Sequence, residues 1–383
     1  MPASQDHKIS IKKIFLQFLK IGFIAFGGPA AHAALMEQEL VSRKKWLNSQ
    51  TFLDYLGSVN LIPGPNSTQM TMLVGYKLRG VIGMIASGLG FMIPAVIITG
   101  TLAVFYVRMG EVPAVEGLFY GIKPAVIAVI AGAIYKLGQK AIKNIWLGTL
   151  GGVVLITSLM GLNEITAILG AGAFAMGVFA IKKGFRKTGG TRVLFPFIML
   201  NGVAAAATAY STMKLFWVFF KIGALLFGTG YVLVAYIDGE LVEKAGWITR
   251  AQLLDAIAIG QMTPGPILSA ATFVGYLLEG WKGAVVATAG IFLPSFFFIL
   301  VLYPLIPRLR KSPYTATFLD SVNMAAVAVM ASVSISMTLD VAVDWGSAAI
   351  LALALIATFS PKKPGVIWII IGGAILGLII NLL

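Results

Sequence analysis

KIGFIAFGGP at Lys20–Pro29 returns as KIGALLFGTG at Lys221–Gly230, and the triplet Pro63, Gly64, Pro65 returns as Pro264, Gly265, Pro266. Both matches lie 201 positions apart, so they belong to one long duplication. Outward from them, Glu39, Leu40 and Val41 match Glu240, Leu241 and Val242, Trp46 matches Trp247, and Asp54 matches Asp255. Past the proline triplet a single deletion drops the offset to 200, and Gly75, Tyr76, Gly80, Gly83, Gly90 and Pro94 match Gly275, Tyr276, Gly280, Gly283, Gly290 and Pro294. The chain is two copies of one unit.

That unit is far too apolar for a water-soluble core. Of 383 residues, 58% are hydrophobic and only 11% charged, with a mean hydropathy of +0.90. An integral membrane protein is implied. The clearest long apolar runs cover 81–107, 144–160, 163–181, 281–306 and 365–383. A net charge of +14 does not point to nucleic acid, because the basic residues are scattered through short loops, the pattern of membrane topology. The absence of cysteine excludes disulfides, thiolate metal sites and cysteine nucleophiles. The basic start MPASQDHKISIKKIF resembles a signal peptide, but Lys20 interrupts the apolar segment and the first copy begins there, so retention is expected.

In the first copy the pattern predicts a helix over 14–36, a polar amphipathic stretch over 37–51, and a weakly apolar segment over 52–76 broken at Pro63-Gly64-Pro65. Spans follow at 81–107, 117–137, 144–160 and 163–181. The second copy repeats this order at 214–237, 238–250, 251–276, 281–306, 317–338, 345–360 and 365–383. We therefore divide the chain into a first repeat at 12–181, a linker at 182–212 that is a candidate extra span, and a second repeat at 213–383. The fold class is an all-α polytopic membrane protein with about 10 to 13 transmembrane spans. Thirteen are expected, with the N-terminus inside and the Pro-Gly-Pro segments and the linker crossing, because this also places Lys8, Lys12 and Lys13 in the cytoplasm; ten, with the N-terminus outside, result if those segments return as hairpins and the linker stays out.

Loop charges bear on the relative orientation of the copies, since positive residues favour the cytoplasm. The loop with Arg108, Glu111 and Glu116 corresponds to one with Arg308, Arg310 and Lys311; the loop with Lys136, Lys140 and Lys143 corresponds to one with Asp340 and Asp344. The bias reverses between copies. Inverted-topology repeats, related by an axis in the membrane plane, are expected.

Proline and glycine breaks inside apolar segments free backbone groups that a membrane cannot satisfy. After the first triplet a helix restarts at Asn66, Ser67 and Thr68, and the N–H groups of a helix start suit an anion. The second copy offers Pro264, Gly265 and Pro266 followed by Ile267, Leu268 and Ser269. Gly27, Gly28 and Pro29 form another break, whose counterpart is Gly228, Thr229 and Gly230. Helix starts meeting near the midplane from opposite sides would surround one anion. A tight turn at the lipid surface is the bland reading of Pro-Gly-Pro, and close helix crossing that of the glycine pair.

Lys20 and Lys221 are the charged candidates for contact with the anion, because a lysine in mid-span costs roughly 2.5 to 3.5 kcal/mol and needs a partner. Snorkelling of the lysine stem competes with that reading. Glu39, Asp54, Glu240 and Asp255, with His32, are candidates for coupling transport to protons; interfacial ion pairing is the structural alternative. No Walker or HExxH motif is present, and two histidines without cysteine give no metal cluster, so no cofactor, no metal and no catalytic residue is expected.

FGGPAAH at Phe26–His32, the acidic stretches at Glu39 and at Gly239-Glu240-Leu241, and the doubled PGP together resemble the chromate transporter family in its long two-domain form. The resemblance runs from about residue 12 to 340. It implies a multi-pass inner-membrane protein that exports chromate from the cytoplasm, driven by protons or the membrane potential, and that confers chromate resistance. The chain departs from the pattern where Thr229-Gly230 replaces Gly28-Pro29, so the halves need not contribute equally. The residues themselves support a tetrahedral divalent oxyanion, chromate or a sulfate-like one; the word chromate rests on the resemblance. Lipid bilayer and oxyanion are the expected partners, nucleic acid is not, and a homodimer is left open. A transporter or channel for another anion is the nearest alternative, and a membrane-embedded lipid enzyme the distant one.

Overall fold

The computed structural model describes residues 9–109, 113–182, 210–227, 230–303, 312–361 and 364–382. The candidate span in the linker, together with Gly228, Thr229 and the basic loops around Arg308 and Lys362, lies outside them. The described residues form fourteen α-helices and no strand. In the first copy these are α1 (Ile11–Ile24), α2 (Pro29–Met36, continued by a π-helical turn at Glu37–Arg43), α3 (Ser49–Val59), α4 (Asn66–Met109), α5 (Pro113–Ala141), α6 (Ile145–Leu159) and α7 (Glu164–Lys182). The second copy gives α8 (Thr212–Leu225), α9 (Leu233–Ile237, continued by a π-helical turn at Asp238–Lys244), α10 (Arg250–Met262), α11 (Ala270–Leu302), α12 (Pro313–Val341), α13 (Trp345–Phe359) and α14 (Val366–Leu382).

The helix starts are written twice. Ser10 and Ser211 cap α1 and α8 by accepting from the N–H of Lys13 and Lys214, and Asn48 and Thr249 cap α3 and α10. Asn144 and Asp344 do the same for α6 and α13. Five stretches are long and apolar enough to cross a bilayer: 66–109, 115–141, 164–182, 267–301 and 313–341.

Two of those five are folded double. In α4, Arg79 and Gly80 leave helical geometry and Gly80 has φ of +60°; Glu279 and Gly280 repeat this in α11, with Gly280 at +58°. A methyl group on Gly75 would stand 2.2 Å from the carbonyl oxygen of Gly83, whereas residues eight apart on one helix are about 12 Å apart. Thr272 and Thr288 share a hydrogen bond of 2.8 Å across sixteen residues. Each long helix is thus a tight hairpin, with a short arm at 66–78 or 270–278 and a long arm at 81–109 or 281–302.

The same reversal occurs at the other breaks. The sequence predicts one helix over 14–36, but Glu39 accepts hydrogen bonds from Gln17 at 2.9 Å and Lys20 at 3.2 Å, and on a continuing rod these residues would be about 30 Å apart. The chain turns back at Gly27-Gly28. Lys221 meets Glu240 at 2.9 Å in the same way. Beyond Pro-Gly-Pro, Asn66 bonds Asn60 at 2.8 Å, and Tyr55 and Tyr76 both pack on Tyr303. So α3 and the 66–78 arm lie side by side, and at 11 and 13 residues neither reaches the roughly 30 Å of a hydrocarbon core.

The two copies interlock. Helices α6 and α7 pack on α12 of the other copy, and α13 and α14 pack on α5. Close approach there uses small residues: a methyl on Gly121 would overlap the carbonyl of Gly373, and one on Gly377 the backbone of Gly117 and Gly121. The long arms 81–109 and 281–302 are direct neighbours, with Gly88 beside Phe296 and Gly100 beside Trp281. As one number rises the other falls, so these equivalent arms run antiparallel.

Candidate functional site

Helices α1 and α8 stop in the middle of the molecule, at Ala25 and Leu226. Their last carbonyls are taken up by the opposite copy: Gly64 N–H donates to Leu226 at 2.6 Å, and Gly265 N–H donates to Ala25 at 2.8 Å. These are equivalent bonds, one from each Pro-Gly-Pro tip. Gly64 and Gly265 hold φ of +128° and +98°, a region closed to ordinary side chains. Side chains would also collide there, since a methyl on Gly64 would stand 2.4 Å from the Gln69 amide and 2.7 Å from Ser295 Oγ. All four breaks therefore converge on one centre.

A cavity of about 30 Å³ lies at this centre, lined by Gly27, Gly28, Pro29 and His32 from the first break, Asn66 and Ser67 from the first helix restart, and Gly230, Tyr231, Gln261, Pro266 and Ile267 from the second copy. It has room for about one water molecule. Pro29, Asn66 and Ser67 also floor a wider cavity of about 420 Å³, walled by Leu56, Asn60 and Asn323, with Lys140, Lys143 and Asp320 among its lining residues. The central helix start thus separates the small cavity from a lysine-bearing vestibule and lines both.

The polar groups at the centre are ordered. His32 Nε2 donates to the Ala25 carbonyl at 3.1 Å, so the neutral ring accepts at Nδ1 from the Ser67 hydroxyl at 3.0 Å. Gln69 Nε2 donates to the Pro63 carbonyl at 2.5 Å. Thr68 Oγ1, Gln69 Oε1 and Ser295 Oγ are buried with no hydrogen-bond partner among the described residues. Unpaired buried donors and acceptors are costly, and their concentration beside a helix start is what a transient polar guest would relieve.

The residues singled out in the sequence fall into three groups. Gly27, Gly28, Pro29, His32, Asn66, Ser67, Gly230 and Pro266 meet at the central cavity, Thr68 and Gly265 lie in the shell around it, and Pro264 adjoins the second tip. Ser269 turns away to accept from Thr99 at 3.1 Å. Lys20 and Lys221 line neither cavity. Each is held by the glutamate nineteen residues on, and those glutamates also take Arg43 at 2.7 Å and Lys244 at 2.5 Å. Asp255, 2% exposed, accepts from Tyr106 at 2.8 Å and faces Lys123 at 3.7 Å; Asp54 accepts from Gln50 at 3.4 Å. No group of three or more metal-ligating side chains occurs among the described residues.

Sequence reasoning missed Gln261, Tyr231, Asn323 and Lys123. The first had a signal, since Gln261 matches Asn60 and each amide stands three residues before its Pro-Gly-Pro. The others become visible only when the halves are brought together.

The sequence model of the family described as chromate transporter matches residues 12–177 and again 213–378. A probable chromate transport protein of Synechococcus elongatus is 31% identical over 84% of the chain and 83% of its own length. The chromate transport protein of Cupriavidus metallidurans is 30% identical over 97% of the chain and 93% of its length. An uncharacterized transporter of Methanocaldococcus jannaschii is 27% identical over 97% and 94%. No solved structure matches the chain.

Proposed function

The chain belongs to the chromate transporter family, and on that premise we propose that it is a secondary transporter exporting chromate across the inner membrane by alternating access. The observation that carries this is the convergence of four helix breaks, two from each copy, on one central cavity that shares Pro29, Asn66 and Ser67 with a wider vestibule. Backbone N–H groups at the Asn66 helix start, with Ser67 and the Gln261 amide, form the oxyanion site once the central cavity, about the size of one water, widens into the vestibule that Asn66 and Ser67 also line. Lys20 and Lys221 add positive charge behind it, and protons or the membrane potential drive transport, with Glu39, Asp54, Glu240, Asp255 and His32 as the candidate proton carriers.

Inverted repeats account for the antiparallel long arms. In that arrangement the α1–α2, α3–α4, α8–α9 and α10–α11 reversals are re-entrant pairs, and the long arms with α5, α6, α7, α12, α13 and α14 make eight crossings. The lysine-rich loop near Lys143 faces the cytoplasm, so the vestibule is open inward, and with Lys143 held by Asp320 at 2.6 Å it is Lys140 that gathers dianions for export.

Purified protein in liposomes tests this. Chromate should enter, sulfate should compete, and trans-chromate should accelerate uptake, as a carrier requires and a channel does not. Asn66→Ala and Gln261→Ala should each cut uptake at least about tenfold, the scale of one hydrogen bond to a charged group. Uptake unchanged in both variants would remove the site from the centre.

A further inference from the structure

Equivalent surfaces of the two copies are in different states. Leu56 and Asn323 line the open vestibule; their counterparts are Ile257 and Lys123. Ile257 is 1% exposed, and Val126 and Leu268 are buried, while the Lys123 side chain keeps 24% exposure at the edge of this surface.

Charges hold that second surface shut. Arg250, at the start of α10, bonds Asp238 on the π-helical turn at 3.0 Å and Asp340 near the end of α12 at 3.1 Å, and reaches Glu243 at 2.7 Å. Deeper in, Asp255 joins α10 to Tyr106 of the long arm and to Lys123 of α5. The open copy cannot repeat either bridge, because Ser49 stands in place of Arg250 and Asn323 in place of Lys123. The inner bridge is also loose: its 3.7 Å is longer than the 2.7 to 2.9 Å usual for a charge-assisted bond, and the Oδ1 of Asp255 is buried without a partner among the described residues.

We propose that this sealed surface is a second oxyanion vestibule, in which Lys123 exchanges Asp255 for the anion once the Arg250 bridges open. The proposal rests on the inverted-repeat transporter reading. It assigns to Lys123 an anion contact in the state opposite to the one seen, and to Arg250 and Tyr106 the closing of that state.

The chain has no cysteine, so single cysteines report access directly. In purified protein in nanodiscs, both faces meet an anionic methanethiosulfonate reagent. Leu56→Cys should react readily and Ile257→Cys hardly at all. Adding Arg250→Gln, or Tyr106→Phe as a milder change, should raise the Ile257→Cys rate at least about tenfold, the shift that about 1.4 kcal/mol of lost closed-state bonding gives. The same backgrounds should slow Leu56→Cys, because the two vestibules alternate. Sulfate or chromate should protect Ile257→Cys in the opened background, and Lys123→Gln should abolish that protection. The proposal is overturned if Ile257→Cys stays silent in both backgrounds while gel filtration shows folded protein, if it opens without slowing Leu56→Cys, or if protection survives Lys123→Gln. Chromate flux is read separately in the cysteine-free chain. Reciprocal labelling without flux would sink the chromate reading and leave the second vestibule standing.

Discussion

A lysine within an apolar helix needs a partner, and here it is a carboxylate of the same reversal. Glu39 and Glu240 are nearly buried, at 3% and 8% side-chain exposure, while their lysines differ: Lys20 is 52% exposed and Lys221 only 29%. Removing the carboxylate strands the lysine, and the cost grows with burial. Glu240→Gln should therefore lower stability by about 2 to 4 kcal/mol and Glu39→Gln by about 1 to 2 kcal/mol, after discounting the more exposed pair. Thermal unfolding in detergent measures both, and the double change Lys221→Met with Glu240→Leu should recover most of the loss. Equal melting temperatures for all variants would mean that neither pair holds its reversal. The pairs were legible in principle: a nineteen-residue spacing between lysine and glutamate appears in both copies. It went unread because a charge pattern tells which groups need partners, and only chain direction tells which ones meet.

Among the elements, the breaks were readable and their sense was not. Proline and glycine announce where a helix must stop, but a straight broken span and a reversal share the same residues. What distinguishes them is the interaction beyond the break, such as Glu39 returning to Gln17 or Tyr76 sharing Tyr303 with Tyr55. The reversals at Gly80 and Gly280 fall in the gaps that the apolar pattern leaves at 77–80 and 277–280, where Arg79 and Glu279 interrupt the runs, but nothing in that pattern tells that the chain turns back on itself there. The two Pro-Gly-Pro tips are the elements most exposed to a single change. Gly64→Ala forces a side chain into φ of +128° and into collision with Gln69 and Ser295, whereas Gly265→Ala at +98° has the Ala95 methyl, at 3.0 Å, as its tightest contact. Each should cost about 1 to 3 kcal/mol of backbone strain, with Gly64→Ala the worse. Transport should fall in the same order, as each tip also anchors the end of the opposite copy's first helix. A Gly64→Ala protein as stable and active as the parent would show that the tip yields freely.

For the whole molecule, the doubled sequence foretold two copies, and its loop charges predict that they oppose each other, while the interlocking of α6 and α7 with α12 left no sign in either copy. Opposed copies place equivalent loops on opposite faces of the membrane, and the loops before α6 and α13 are the best pair to examine. Lys143 and Val343 occupy equivalent positions there, next to the caps Asn144 and Asp344, and Val343 is 75% exposed. The native chain contributes no competing thiol. In intact cells an impermeant maleimide should label Val343→Cys and leave Lys143→Cys unlabelled until the membrane is permeabilised, since the lysine-rich loop favours the cytoplasm. Labelling of both from one face would place the copies in parallel. The antiparallel long arms would then have to lie along the membrane instead of across it, which their apolar length opposes. The reverse pattern, with Lys143→Cys outside, would keep the copies inverted and turn the whole molecule over. The open vestibule would then receive its anion from outside the cell, and the chain would work as an importer.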